Sequence, residues 1–136
     1  MEKVTIKKDI KVLCLRATSF PDDMIETHRK LRMLFLFGGK RQYFGISHLD
    51  HDKEKILYRA AAEELEEDEV ERLHCESFMI KSGKYSSITI PDFMKDISAV
   101  GRVFAELLRS PNVDPEGYCL EWYLNDTDVR CMVPLK

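Results

Sequence analysis

The segment Tyr118-Cys-Leu-Glu-Trp-Tyr-Leu-Asn125 occupies the same place in the second half of the chain as Tyr43-Phe-Gly-Ile-Ser-His-Leu-Asp50 does in the first. Each follows a helix predicted to begin at a Pro-Asp pair, Pro21-Asp22 or Pro91-Asp92, and each precedes a turn and a further strand. Identical residues occur in the same order in both halves: an Ile-Lys pair, then a tyrosine, then a leucine. This order predicts a duplicated strand–helix–strand–strand unit. The two predicted units cover residues 4–63 and 77–136.

The duplicated unit predicts the fold class. One helix on three or four strands covers one face of a sheet and leaves the other face bare. We therefore expect an α+β fold, a single domain over residues 1–136, with an antiparallel sheet and both helices on one face. The opposite face is expected to curve into a ligand groove between the halves.

Several local patterns predict single elements. Ile56–Ala62 is rich in alanine, but its length and its position after a turn favour a strand. Ser82-Gly83-Lys84 predicts the turn of a hairpin between strands 78–81 and 85–90. Gly38-Gly39 is predicted to end the first helix. The second predicted helix has an apolar stripe of Phe93, Ile97, Val100, Phe104 and Leu107.

Charge and composition exclude some classes of protein. With 21 basic and 24 acidic residues, the net charge is −3, and a dedicated nucleic-acid-binding domain usually has a basic excess. The sequence has no signal-peptide pattern and no apolar run of membrane-spanning length. Four scattered cysteines predict a cytoplasmic protein with reduced thiols. The four are Cys14, Cys75, Cys119 and Cys131. From the net charge and the lack of an apolar span, we expect no direct nucleic-acid partner and no membrane partner.

Seven carboxylates crowd residues 63–71. Such a run predicts a solvated loop or a short helix. The alternative is an acidic surface that contacts a basic protein partner.

Glu121 is the most informative residue, because it is a single carboxylate in an apolar, aromatic strand. Alternation places Cys119, Glu121 and Tyr123 on one face and Trp122 on the other. One interpretation is an exposed edge or an ion pair with an arginine such as Arg130 on the next strand. The other is a carboxylate at the floor of an aromatic groove, which would attract flat cations through Coulomb and cation–π attraction.

Tyr118-Cys-Leu-Glu-Trp-Tyr-Leu-Asn-Asp126, with Val133-Pro134-Leu135 and Ser82-Gly83-Lys84-Tyr85, resembles the GyrI-like family of small-molecule-binding domains. The family also supplies the effector-binding domain of AraC-type and MerR-type multidrug regulators. The resemblance covers nearly the whole chain and implies a groove between the halves, with its central glutamate at Glu121 and an aromatic residue at Tyr123. Trp122 departs from the aliphatic residue that often follows this glutamate.

Other candidate ligand-binding residues follow from the repeat. Ile46 and His48 are expected opposite Glu121 and Tyr123, and Trp122 and Cys119 beside them. His48-Leu-Asp-His51 has metal-binding residue types, but it lies on a predicted turn without a third ligand. We therefore expect neither a metal nor another cofactor.

Three functions remain open at this point. The first is binding of a cationic or aromatic small molecule, which the resemblance associates with multidrug or transcription-regulator sensing. The second is metal-independent hydrolysis of reactive, cyclopropane-bearing compounds, with Glu121 as general base and Tyr123 as proton donor. The third is a gyrase-inhibitor-like contact with a protein partner. The DNA-binding module of an AraC-type or MerR-type regulator does not fit in this sequence. We therefore expect a standalone domain that forms a homodimer or binds a separate protein partner.

Overall fold

The computed structural model describes residues 1–19, 22–35, 40–50 and 55–136, without the side chains at 49, 50 and 55. Over these residues the chain is an α+β fold with one eight-stranded antiparallel sheet, three α-helices and a short 3-10 helix. The strands are β1 (Glu2–Ile6), β2 (Ile10–Arg16), β3 (Tyr43–Asp50), β4 (Lys55–Glu63), β5 (Glu76–Ile80), β6 (Gly83–Ile90), β7 (Cys119–Tyr123) and β8 (Val129–Pro134). The helices are α1 (Met24–Met33), α2 (Glu69–Arg72), α3 (Ser98–Leu107) and the 3-10 helix Phe93–Lys95.

The strand order is β1-β6-β8-β7-β3-β4-β2-β5. The two halves of the chain meet at the centre, where β3 pairs with β7, and Gly45 lies opposite Glu121. The predicted α+β class and antiparallel sheet are confirmed. So is the strand predicted over Ile56–Ala62, which lies within β4.

The predicted hairpin between residues 78–81 and 85–90 is wrong. β5 pairs with β2, while β6 pairs with β1 and β8. The chain bends at Ser82 without reversing, and the backbone N–H of Ser82 donates to Asp9 at 2.7 Å. Gly83 has φ +133°, a conformation that glycine adopts without steric cost, so it serves this bend.

Both longer helices pack on the same face of the sheet. Leu31 of α1 packs against Leu13 and Ala60, and Leu107 of α3 packs against Val129. The spacing of apolar residues along each helix explains these contacts, because residues three and four apart share one face.

The opposite face is filled, so the groove predicted there is absent from the described residues. Val12, Phe44, Ile46, Ile80 and Leu120 have no exposed surface and belong to one apolar cluster on this face. The sheet curls around that cluster because β1–β2 and β5–β6 each cross from one half of the sheet to the other. What the sequence pattern predicted as an open groove is therefore core.

Smaller differences concern element ends. Pro91-Asp92 precedes the 3-10 helix, and α3 begins only at Ser98. The predicted positions of Pro21, Gly38-Gly39 and His51 lie outside the described residues. No helix in the described part of the chain is long and apolar enough to cross a membrane.

Candidate functional site

Glu121 lies near the middle of the sheet, on the face that carries the helices, and is only 2% exposed. Its cross-strand neighbours are Gly45 and Cys131. The predicted ion pair with Arg130 does not form, because Arg130 lies opposite Trp122, with its guanidinium over that indole on the other face. Among the described residues, no basic side chain lies within ion-pair distance of Glu121. Within the described ranges it is a buried carboxylate without a cationic neighbour, an arrangement that costs several kcal/mol unless hydrogen bonds compensate.

Two tyrosine hydroxyls supply those hydrogen bonds. Tyr58 on β4 donates to Glu121 Oε1 at 3.0 Å, and the Tyr123 hydroxyl donates to the same oxygen. His28 on α1 extends the network, since its Nε2 lies 2.7 Å from the Tyr58 hydroxyl. Because the Tyr58 proton points to Glu121, His28 Nε2 must carry the hydrogen that it donates to Tyr58. The result is a chain of hydrogen bonds from helix to sheet.

Burial shifts the pKa of every titratable group in this network. It raises the pKa of Glu121, and the hydrogen bonds from Tyr123 and Tyr58 oppose that rise. Burial and then the nearby Glu121 charge raise the pKa of both tyrosines well above its usual value. Burial, followed by the charge of Arg32, lowers the pKa of His28 to about 4. His28 is therefore a neutral imidazole at neutral pH.

A pocket of about 380 Å³ opens beside this network, between α1 and the 3-10 helix. The ring of Tyr123 forms its inner wall, with the His28 ring centroid at 5.0 Å and the Phe93 centroid at 5.5 Å. Glu121 lies directly behind the hydroxyl of Tyr123. The lining residues are Met24, Ile25, His28, Arg32, Phe93, Met94, Tyr123, Asn125 and Asp126.

The structure brings together two of the predicted ligand-binding residues, Glu121 and Tyr123. Cys119 lies on their face but lines a second cavity, of about 330 Å³, with Ser47 and His48. Trp122 faces the other side of the sheet, where it packs against Phe44 and its Nε1 donates to Gln42 at 2.9 Å.

Ile46 and His48 do not lie opposite Glu121 and Tyr123. Ile46 pairs with Leu120 and is buried on the other face. His48 contacts Phe78 and accepts a hydrogen bond from Arg59. The repeat alone did not fix the register, and a shift of one residue moves a side chain to the opposite face.

Sequence reasoning missed two residues of the network, His28 and Tyr58, and the glycine beside it, Gly45. His28 does have a signal, because it is the polar member of the predicted helical stripe that includes Met24 and Leu31. Tyr58 shares its face with two small residues, Ala60 and Ala62, which leave room for a large side chain beneath α1. Within the described ranges, no group of three or more His, Cys, Asp or Glu side chains is placed to hold a metal ion.

No protein-family model matches this sequence, and no curated protein matches it either. The fold is similar to that of the integron cassette protein VCH_CASS2 from the mobile metagenome of Vibrio cholerae, with TM-score 0.67, 14% identity, and 99% of this chain and 95% of that chain covered. It is also similar to SAV2435 bound to tetraphenylphosphonium, with TM-score 0.65, 10% identity and coverages of 99% and 93%. A hydrolase from Listeria innocua has TM-score 0.59, 10% identity and coverages of 99% and 90%. At these identities the likeness is one of fold.

Proposed function

We propose that this chain binds small aromatic cations in the pocket between α1 and the 3-10 helix, as a GyrI-like small-molecule-binding domain. The observation that carries the proposal is the state of Glu121. It is a buried carboxylate held by two tyrosine hydroxyls, without a basic partner among the described residues, directly behind an aromatic wall. A ligand cation would supply the missing positive charge.

The walls of the pocket suit such a ligand. The rings of Tyr123 and Phe93 line the pocket, and aromatic rings attract cations; Met24 and Met94 supply flexible apolar contacts. An ionised Glu121 behind the Tyr123 hydroxyl would strengthen the attraction, since charges act more strongly where water is excluded. An aromatic cation gains both from contact with the aromatic rings and from the charge of Glu121, whereas a small hydrated cation gains only from the charge.

The fold and its symmetry support the proposal. SAV2435, which shares this fold, was solved with the aromatic cation tetraphenylphosphonium. From the central seam outward, the strand orders are β3-β4-β2-β5 and β7-β8-β6-β1, as a duplication of one unit would give. The Glu121 motif also resembles that of the GyrI-like family. The cytoplasmic location and a homodimer or separate partner stay predictions from the sequence.

The test compares two probes of nearly equal size and opposite charge, tetraphenylphosphonium and tetraphenylborate. We expect calorimetry to detect binding of the phosphonium only, and Glu121→Gln to weaken it by at least about tenfold, because the charge is lost while the shape is kept. The matched control is Glu106→Gln, which removes an exposed carboxylate on α3. Equal binding of both ions, or an unchanged affinity in Glu121→Gln, would contradict the proposal.

The hydrogen-bonded network favours hydrolysis as a second candidate function. A carboxylate with a raised pKa, hydrogen-bonded to Tyr123 and linked through Tyr58 to a neutral His28, is suited to accept a proton from water. The test is turnover of a panel of electrophilic cyclopropanes by the wild type and by Glu121→Gln. Turnover that disappears in the variant supports hydrolysis, and binding without turnover supports the first proposal.

A further inference from the structure

Two opposite charges that have no ion-pair partner among the described residues line the candidate pocket. Arg32 on α1 has its guanidinium 4.1 Å from the centroid of the Tyr43 ring, and no acidic side chain of the described residues lies within ion-pair distance of it. Asp126, in the turn between β7 and β8, likewise has no ion pair or side-chain hydrogen bond within the described part of the chain. The two side chains do not pair with each other.

We infer that the pocket selects zwitterionic ligands, in which an aromatic cation also carries a carboxylate or a similar acidic group. The inference rests on the proposed function and specifies its ligand class. The cationic end would lie against Tyr123, near Asp126, and the acidic end would accept hydrogen bonds from Arg32. Guanidinium binds carboxylates in a two-pronged geometry and is weakly hydrated, so it is well suited to this contact.

The positions on α1 define the spacing between the two ends. Arg32 follows His28 by four residues, so the two lie about one helical turn, or about 6 Å, apart along the helix. His28 is hydrogen-bonded to Tyr58 and contacts the Tyr123 ring, which marks the aromatic end of the pocket. The charge of Arg32 acts on this wall, since it contributes to the lowered pKa of His28.

Arg32 also makes the pocket better suited to a cation that carries an acidic group than to one that carries only positive charge. A guanidinium on the wall, without an acidic partner in the described part of the chain, repels a ligand that carries only positive charge and attracts one that also carries an acid. Such a residue provides specificity through repulsion as well as attraction. Stacking on Tyr43 limits how far the side chain can move to avoid an incoming cation.

The test uses (4-carboxybutyl)triphenylphosphonium and its carboxamide, which have the same shape and the same cationic head but differ in one negative charge. We expect the carboxylate to bind the wild type roughly fivefold more tightly, as for a well-placed but solvated ion pair. Arg32→Gln should abolish this preference and improve binding of the carboxamide, because the repulsion is removed. Arg32→Lys should restore part of the preference.

The matched control is Arg29→Gln, which removes the same charge from an exposed position on α1 outside the pocket lining. It should keep the preference. Equal affinities of the two probes for the wild type would overturn the inference and leave cation binding in place. A preference that survives in Arg32→Gln would overturn the assignment to Arg32. Failure of both probes to bind would overturn the proposed function and this inference with it.

Discussion

The hydroxyl of Tyr58 occupies the space beside Gly45 that the side chain of any other residue would fill. A Cβ at position 45 would lie 2.8 Å from Glu121 Oε1 and closer still to the Tyr58 hydroxyl. Gly45 therefore keeps open the room in which the hydroxyl meets the carboxylate. The glycine is required here by a close approach of side chains and not by its backbone angles.

Gly45→Ala should separate Tyr58 from Glu121. The added methyl group meets buried atoms that have little room to move, and such overpacking typically costs about 1–3 kcal/mol. We expect a lower free energy of unfolding in urea and weaker binding of tetraphenylphosphonium. The control is Gly101→Ala in α3, where a Cβ meets no atom within 4 Å, and where alanine should stabilise the helix by roughly 0.5–1 kcal/mol. Equal effects of the two substitutions would contradict the role of Gly45.

Tyr58→Phe should make cation binding more sensitive to acid. The hydrogen bond from Tyr58 holds the pKa of Glu121 below the value that burial alone would give, so its loss raises that pKa further. Since a cation prefers the ionised carboxylate, tetraphenylphosphonium affinity should fall as pH falls through the pKa of Glu121. The fall should begin at a higher pH in the variant than in the wild type.

The control for this experiment is Tyr43→Phe, which removes a hydroxyl on β3 and keeps the ring that stacks on Arg32. Affinity should be measured by calorimetry from pH 5 to pH 8. A pH profile that is the same in the wild type and in Tyr58→Phe would show that the Tyr58 hydroxyl does not act on Glu121.

His28 should make the protein less stable in mild acid. Its pKa is about 4 in the folded protein and near 6.5 in the unfolded chain, so the unfolded chain binds more protons between these values. The free energy of unfolding should therefore lose about 3 kcal/mol as pH falls from 6.5 to 4. His28→Gln removes this titration. The difference in the free energy of unfolding between the wild type and the variant should therefore change over the same pH range.

The control for His28 is His74→Asn. His74 has φ 55°, a left-handed conformation that asparagine also tolerates, and its side chain belongs to no part of the network. Because this substitution leaves His28 in place, the control should still lose stability as pH falls from 6.5 to 4. Denaturant titrations at each pH measure the free energy of unfolding of the wild type and of both variants. A His28→Gln difference that is flat between pH 4 and pH 6.5 would contradict a buried, neutral imidazole.

The sequence predicted the pieces that depend on local pattern, and it failed where long-range register decides. Alternation placed Glu121 and Tyr123 on one face because side chains along a strand alternate strictly. The pairing of β5 with β2, and of Gly45 with Glu121, depends on residues far apart in the chain. The turn pattern at Ser82-Gly83 therefore predicts a hairpin that the structure does not contain, because a local pattern does not distinguish a bend from a reversal.

The acidic run illustrates the same limit. Its pattern predicts a solvated loop or a short helix over residues 63–71; the short helix is present as α2, but the run is not solvated throughout. Glu69 is instead buried, and its carboxylate binds Arg41 through two hydrogen bonds of 3.1 and 3.0 Å. The backbone N–H groups of Leu65 and Glu66 donate to the same carboxylate. Arg41 lies over the ring of Phe35, at the end of α1. The pair therefore ties the acidic segment to the first helix.

Glu69→Gln should destabilise the protein by about 3–5 kcal/mol, because it leaves a buried guanidinium without its counter-charge. The matched control is Glu67→Gln, an exposed carboxylate of the same run, which should change the free energy of unfolding by less than about 0.5 kcal/mol. Burial acts to raise the pKa of Glu69, but hydrogen bonds from Arg41 and the backbone lower it to about 2. The stability that the charged Glu69 supplies is therefore complete above its ordinary pKa of 4.5, and it is lost as pH falls towards 2. In urea titrations, the difference in the free energy of unfolding between the wild type and Glu69→Gln should shrink over that range. A difference that stays constant would contradict a charged pair.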